Sequence, residues 1–156
     1  MASKKAAAAP DAIKLLKADH DKVRELLAQF EKATGARREK LRVQIERELK
    51  VHTQIEEEIF YPAYLDAAKK KDDRTMYFEA LEEHHVVDFV LPQVSDGASN
   101  EELQAKAKVL RELVEHHADE EEDDMFPRAK QLLDKAELRV LGEQMQLRKE
   151  TLMKSA

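Results

Sequence analysis

Apolar residues recur at steps of three or four positions along four long segments, which predicts four amphipathic helices. Asp11 is a candidate N-cap of the first helix, and Ser99 or Asn100 of the fourth. Turns are expected around Gly35 and at the polar stretches "KKKDDR" and "SDGASN". The apolar stripe of the second predicted helix continues through Ile59 and Ala63, and Pro62 and Pro127 are each expected to kink or restart their helix. The predicted helices cover residues 11–33, 37–69, 73–94 and 100–134.

Short connections favour an antiparallel up-down four-helix bundle, so the predicted fold class is all-α. Residues 11–134 form this bundle, and residues 1–10 are expected to be a disordered tail. Residues 135–156 carry a loose apolar periodicity that predicts a short C-terminal extra helix. This helix is expected to cover the bundle, and a homodimer contact through it is the alternative interpretation.

The composition limits the chemistry and the partners. The length of 156 residues fits one domain. The net charge of −6 is spread over residues of both signs without a basic block, which argues against nucleic acid as a partner. Neither a secretory signal nor an apolar run of membrane-spanning length is recognisable, so we expect a soluble cytoplasmic protein. Since the sequence has no cysteine, a metal must be held by His, Asp, Glu or Tyr.

Polar residues interrupt the apolar stripe of every predicted helix. Two histidines are each followed by a glutamate one helical turn later, which places paired ligands on one face. A carboxylate buried alone in an apolar core would take up a proton unless a cation neutralised it. The core-facing candidate metal ligands are His20, His52, Glu56, His84, His117 and Glu121.

Imidazole and carboxylate ligands without thiolate suit iron, manganese or zinc. Two carboxylates able to bridge favour two ions over one. A ferritin-like site would need a Glu-x-x-His pair on each of two helices, and only Glu82 and His85 have that spacing. The sequence therefore favours a dinuclear iron centre of another type.

The stretch "HTQIEEEIFYP" (52–62) is repeated as "HADEEEDDMFP" (117–127), and "ADHD" and "LEEHH" surround the other two histidines. With these motifs the chain resembles the hemerythrin family, in its HHE cation-binding branch, over about residues 11–134. The resemblance implies a four-helix bundle holding two iron ions. It also implies that Glu56 and Glu121 bridge the ions and that the four histidines are terminal ligands.

Two of the candidate histidines have a second histidine next to them in the sequence. Periodicity hardly separates His84 from His85, which lies on an alternative apolar line through Phe78, Leu81 and Phe89; the family pattern favours His84. On the fourth helix His116 also has a glutamate one turn later. The closing proline stands ten residues after the histidine in both repeats only if His117 is chosen.

The third helix departs from the pattern of oxygen-carrying hemerythrins, which have a second histidine one turn before the first. Here that position is Ala80. One iron is then short of a ligand, and water, Glu83, His85 or Tyr77 are the candidates to replace it. The missing ligand argues against reversible oxygen carriage and leaves a position open to peroxide or nitric oxide as readily as to dioxygen.

These observations predict a non-haem di-iron protein that binds dioxygen or reacts with peroxide or nitric oxide. Catalase-like or oxidase-type turnover is left open. The alternative is an iron or oxygen sensor or storage protein without turnover, with the C-terminal segment as its partner surface. The neighbouring glutamates Glu57, Glu58, Glu120 and Glu122 are interpreted as a solvated acidic face, and an acidic mouth that attracts Fe²⁺ is the alternative.

Overall fold

A computed structural model describes residues 8–95 and 99–156, and all regular structure in these ranges is helical, as predicted. The described residues form seven α-helices: α1 (Ala12–Lys32), α2 (Gly35–Ile55), α3 (Tyr61–Ala67), α4 (Lys71–Val90), α5 (Asn100–Glu120), α6 (Phe126–Leu132) and α7 (Lys135–Ser155). A 3₁₀ turn, Leu91–Ser95, extends α4. Of the predicted tail 1–10, residues 1–7 lie outside the described residues. Within those ranges, no helix combines the length and the apolarity needed to cross a membrane.

The helix starts follow from local side-chain chemistry. Asp11 caps α1 by accepting a hydrogen bond from the backbone of Lys14 at 2.9 Å, and Ser99 caps α5. The predicted turn between the first two helices is reduced to almost nothing, because α2 begins at Gly35 itself. Gly35 has φ +57°, a left-handed conformation that side chains with a Cβ rarely adopt.

Two π-helical turns interrupt the long helices just before Pro62 and Pro127. The turn Glu56–Phe60 joins α2 to α3, and Glu121–Met125 joins α5 to α6. In a regular α-helix each proline ring would clash with the carbonyl four residues earlier. The predicted interruption of both helices near these prolines is therefore confirmed, and its form is one extra residue per turn.

The first π turn changes which residues face the core. The regular periodicity places Ile59 and Ala63 on the buried stripe, but both are only half-buried. The extra residue rotates the following turn, so Phe60, Tyr61 and Tyr64 are the buried side chains instead. That part of the predicted stripe is wrong.

The helices enclose one interior that a polar layer divides into two apolar clusters. α1 packs against α2 and α5, and α4 packs against α3 and α5. One cluster includes Leu16, Ile55, Phe60, Tyr61, Tyr64, Phe126 and Met145. The other includes Leu27, Phe30, Leu41, Ile45, Leu49, Leu91 and Leu110.

The C-terminal helix α7 is 21 residues long, the same length as α1, so the prediction of a short extra helix is wrong. It packs along α1, α2 and the first π turn. The expectation that it covers the bundle is confirmed. A capping box formed by Asp134 and Glu137 starts the helix, and Leu138, Gly142 and Met145 are buried beneath it.

Substitution of Gly142 by alanine should destabilise the fold, because a Cβ there would lie 2.1 Å from the carbonyl oxygen of Pro10 and 2.7 Å from Cα of Asp11. Both obstacles are backbone atoms, so α7 must move away from the start of α1. We expect a loss of about 1–3 kcal/mol, the usual cost of overpacking, measured by calorimetry. Glu143→Ala, on the exposed side of the same turn, is the control. Equal melting temperatures for both variants would contradict the close approach.

Candidate metal centre

Six buried side chains meet in the polar layer between the two apolar clusters, and we call them the central cluster. Its members are His20 of α1, His52 of α2, Glu56 and Glu121 at the start of the π turns, His84 of α4 and His117 of α5. The structure thus brings together all six residues singled out from the sequence. Their candidate ligand atoms form two groups, each within 4.8 Å: His20, His52, Glu56 and Glu121; and Glu56, His84 and His117.

Glu56 belongs to both groups and lies between imidazoles of two helices. Its Oε1 is 2.7 Å from His52 Nε2, and its Oε2 is 3.0 Å from His84 Nε2. Its side chain is fully buried. One carboxylate therefore reaches both halves of the central cluster.

Glu121 occupies the corresponding place in the second repeat. Its Oε1 is 3.1 Å from His117 Nε2 and 3.3 Å from His20 Nε2. The spacing of four residues between each histidine and its glutamate predicts that the two side chains lie on one face, and the structure confirms this for both pairs. Each pair presents an imidazole and a carboxylate to the same interior point.

Every imidazole of the central cluster has a carboxylate at its other nitrogen. These Nδ1-to-oxygen pairs are His20 with Glu122 (3.3 Å), His52 with Asp19 (3.0 Å), His84 with Glu57 (2.7 Å) and His117 with Glu83 (3.0 Å). A carboxylate that accepts from Nδ1 fixes the ring orientation and directs Nε2 at the centre. All four Nε2 atoms are thereby presented to Glu56 and Glu121.

The partner carboxylates follow a cyclic order that the sequence analysis missed. Each one is the neighbour in sequence of a central-cluster residue, yet it bonds the histidine of the next helix around the bundle. The bonds run from α1 to α2, from the first π turn to α4, from α4 to α5, and from the second π turn to α1. The interpretation as a solvated face is therefore wrong for Glu122, whose side chain is 20% exposed, whereas Glu57 is solvated at 43% exposure and bonds His84 as well. The doublets "DH" and "EH" and the repeated "EE" are the signal that could have revealed them.

The charges of the central cluster balance without protonated glutamates. Burial and the charge of Glu121 act to raise the pKa of Glu56, but the imidazoles of His52 and His84 outweigh them and lower it. Burial acts in the same direction on Glu121, yet His117 and His20 hold the pKa of Glu121 well below its usual value. The expectation that these glutamates take up protons in the absence of a cation is therefore wrong.

The histidines provide the positive charge instead. Burial alone lowers the pKa of His52, but the charge of Glu56 and the hydrogen bond with Asp19 raise it to about 10. The pKa of His117 is raised well above its usual value against burial by Glu121 and Glu83. Imidazolium groups at these positions replace the lysine or arginine that the core-facing stripes lack.

Several buried atoms of the central cluster lie within ion-pair distance of one another but have no partner in hydrogen-bond geometry among the described residues. They are His20 Nε2, His52 Nε2, both carboxylate oxygens of Glu56, and Glu121 Oε1. Buried polar atoms are rarely left without a partner, because their desolvation is not compensated. Imidazole and carboxylate atoms that converge in this way fit a divalent cation such as Fe²⁺.

Tyr61 is a further member of the site that regular periodicity did not identify. Its ring stacks on His84 at 5.3 Å, and its hydroxyl donates a hydrogen bond to Glu121 Oε2 at 3.1 Å. Burial and the two central carboxylates raise the pKa of Tyr61 well above its usual value, so the hydroxyl stays protonated. The corresponding residue of the second repeat, Phe126, stacks on His20 at 5.8 Å. Aromatic residues stand at the same position of both repeats, nine residues after the histidine, and this pattern could have identified Tyr61 from the sequence.

Burial distinguishes the two members of each pair of adjacent histidines. The side chain of His84 is 1% exposed and that of His85 is 66% exposed. His117 is 8% exposed, against 64% for His116. The apolar line that made His85 an alternative lies on the solvent side, where Phe89 is 75% exposed.

The surroundings of Ala80 show what each candidate substitute for the missing histidine does. His85 points to solvent, Glu83 bonds an imidazole of the central cluster, and the ring of Tyr77 packs edge-on against Tyr61 at 6.0 Å. The hydroxyl of Tyr61 lies 3.2 Å from Nε2 of His84. Tyr61 therefore brings an oxygen atom to the half of the central cluster that has fewer candidate ligands.

The C-terminal helix also reaches the central cluster. Lys149 of α7 bonds Oδ1 of Asp19, whose other oxygen bonds His52. One residue earlier, Arg148 pairs with Glu58 at 2.7 Å. The packing of α7 is thus linked by hydrogen bonds to the orientation of one central imidazole.

Comparison with known families gives the class of the protein. Residues 11–129 match the model of the hemerythrin HHE cation-binding domain, so the chain belongs to the hemerythrin family. Searches of curated proteins and of solved structures gave no significant match. α7, with Lys149, lies beyond the matched residues.

The metal-free protein should lose stability as the pH rises above neutral. A raised histidine pKa stabilises the fold fully below the unfolded value of 6.5, and this contribution is lost as the pH approaches the folded value, about 10 for His52. Each such proton changes the free energy of unfolding by about 1.4 kcal/mol per pH unit in this window. Calorimetry of chelated protein between neutral pH and about pH 9 measures the slope.

The metal-loaded protein is the control, because a bound cation replaces these protons and its affinity rises as they leave. Its stability should not fall over the same range. A flat profile for the chelated protein would mean that the central imidazoles do not carry the positive charge.

Proposed function

We propose that this hemerythrin-family chain holds two iron ions in the central cluster. One ion would be held by His20, His52, Glu56 and Glu121, and the other by His84 and His117, with Glu56 and Glu121 shared between the two. The observation that carries the proposal is the convergence of buried Nε2 and carboxylate atoms that lack hydrogen-bond partners among the described residues. Four Nδ1–carboxylate pairs support it, since they are typical companions of metal-bound imidazoles.

The proposed architecture is an antiparallel up-down bundle over residues 11–134, with residues 135–156 as an extension. The packing of α1 between α2 and α5, and of α4 between α3 and α5, supports this order. Each helix then contributes one central histidine. The proposed iron pair lies at the level where the two apolar clusters meet.

We propose that the small ligand is dioxygen, peroxide or nitric oxide. Iron bound here would supply electrons and a free coordination position. The chain itself contributes an apolar cavity of about 20 Å³ beside the imidazoles, lined by Val23, Leu49, Val87 and Val114 among others. A cavity of this size admits one very small molecule, and its apolar walls favour an uncharged one.

Tyr61 is a hydrogen-bond donor of the proposed site. Its hydroxyl donates to Glu121 and remains protonated because burial and the two central carboxylates raise its pKa. It lies beside His84, one helical turn from Ala80, where the second histidine is missing. A hydrogen-bond donor at this place would orient a small polar ligand.

The purified protein should contain two irons per chain, and His52→Ala or His117→Ala should lose most of the metal. Each substitution removes an imidazole whose Nε2 faces a buried carboxylate at about 3 Å. Metal content is measured by elemental analysis after iron-replete expression. His84→Ala should likewise lose iron, whereas His85→Ala is the matched control on the exposed side of the same helix.

Stoichiometric zinc with no iron would refute the di-iron assignment. Iron loss in His85→Ala, with full iron in His84→Ala, would refute the assignment of the ligand on α4. Circular dichroism of each variant distinguishes metal loss from unfolding.

Ala80 provides the test of reactivity. Ala80 is 4% exposed, and a cavity of about 90 Å³ adjoins it. The reduced protein should therefore oxidise rapidly in air without recovery after degassing, and it should break down hydrogen peroxide. Ala80→His should fill the cavity, slow peroxide breakdown and favour recovery of the reduced spectrum. Optical spectra in air, after reduction and after peroxide addition measure this.

Recovery of the reduced spectrum in the unsubstituted protein, hours after exposure to air, would favour oxygen carriage. Ala80→Ser is the matched control, because it adds polarity without filling the cavity or supplying an imidazole. Equal peroxide breakdown by Ala80→His and Ala80→Ser would show that the missing histidine does not control access.

A sensor without turnover is the second candidate, and the surface of α4 favours it. Phe78, Val86 and Phe89 are 54%, 46% and 75% exposed on the helix that carries His84. The C-terminal segment, proposed above as a homodimer contact, buries one side on the bundle and exposes Leu147. Light scattering with and without iron tests whether either surface binds a second copy in a metal-dependent manner.

A further inference from the structure

A second cluster of metal-ligating side chains lies on the surface beside the central cluster, and we call it the outer site. It consists of Glu83 of α4 with His116 and Glu120 of α5. His116 Nε2 is 3.1 Å from Glu120 Oε1 and 3.4 Å from Glu83 Oε2, and one ligand atom from each residue lies within 4.8 Å of the others. Two carboxylates and an imidazole with this spacing are suitable ligands for a divalent cation.

A cavity of about 90 Å³ connects this surface with the central cluster. Its acidic wall contains Glu79, Glu83, Glu120 and Asp124. Glu121 also lines it, and the side chain of Glu121 is only 2% exposed. Its Oε1 atom faces the imidazoles of His117 and His20 and lacks a hydrogen-bond partner in the described ranges, so the buried end of the cavity lies at the proposed central metal site.

Ala80 keeps this cavity open. It is buried and lines the same cavity as the outer carboxylates and Glu121. A larger side chain at this position would occupy the space. The residue that leaves the centre short of a ligand thus also leaves a passage lined by negative charge.

Glu83 connects the two sites directly. Its Oε1 accepts from His117 Nδ1 at 3.0 Å, while its Oε2 faces His116. A cation bound at Oε2 leaves Oε1 free to keep its hydrogen bond. Both sites can therefore be occupied together, and they share one side chain.

We propose that the outer site binds a divalent cation, Fe²⁺ in the loading reaction, and passes it through the cavity to the central cluster. Three ligands at a surface position bind more weakly than the six residues of the buried cluster. The exposure of His116, 64% at its side chain, allows exchange with solvent. Binding at the outer site stands on its own residues, whereas delivery rests on the proposed di-iron function.

Binding is tested with Mn²⁺ on the iron-loaded protein, in which the central cluster is already filled. Electron paramagnetic resonance of free Mn²⁺ gives the affinity and the stoichiometry. We expect one bound Mn²⁺ per chain and a loss of affinity of about tenfold or more in His116→Ala and in Glu120→Gln. His85→Ala is the matched control, because His85 is equally exposed and pairs with Glu82 alone at 3.5 Å. Unchanged affinity in His116→Ala would overturn the outer site.

Delivery is tested by mixing chelator-treated protein with limiting Fe²⁺ and following uptake by rapid-mixing absorbance. His116→Ala should load several-fold more slowly and still reach the same final iron content. Equal loading rates, with Mn²⁺ binding lost, would overturn delivery. His116-dependent Mn²⁺ binding in a protein that never takes up iron would instead refute the di-iron function and leave the outer site intact.

Discussion

The interior of this bundle is organised by one electrostatic constraint: six ionisable side chains are buried together and their charges must cancel. Two carboxylates cannot remain ionised in an apolar core unless positive charge lies beside them. The imidazoles of His52, His84 and His117, whose pKa values are raised by the buried carboxylates, supply that charge in the metal-free protein. A divalent cation performs the same task with better directed bonds, which is why the cluster suits a metal.

The cyclic carboxylate–imidazole pairs extend this constraint to the whole fold. Each helix orients the histidine of its neighbour, so no ring is positioned by its own helix alone. Displacement of any helix would disturb a ligand on the next one. α7 joins the same system through Lys149 and Asp19. The centre is therefore fixed on one side by the four hydrogen-bonded imidazoles, and on another side it adjoins the cavity near Ala80.

The amino-acid sequence alone determined the helices and the central residues. Repeated steps of three and four predicted four helices with boundaries close to those observed, and the spacing of four placed His52 with Glu56 and His117 with Glu121. Both relations are local, since they depend only on helix geometry. The prolines that end the two repeats likewise indicated where the helices are interrupted.

Only the tertiary structure decided the rest, because it depends on contacts between distant residues. The π turn brings Tyr61 into the interior, where a regular helix would not place it. Each carboxylate that bonds a histidine Nδ1 atom is adjacent in sequence to a different member of the central cluster. Only the packing of the helices brings it to the histidine that it bonds. The orientation of α4 buries His84 and exposes His85, a difference that two adjacent positions on a short apolar pattern cannot specify. The full length and docking of α7 follow from its packing on α1, since its own periodicity is weak.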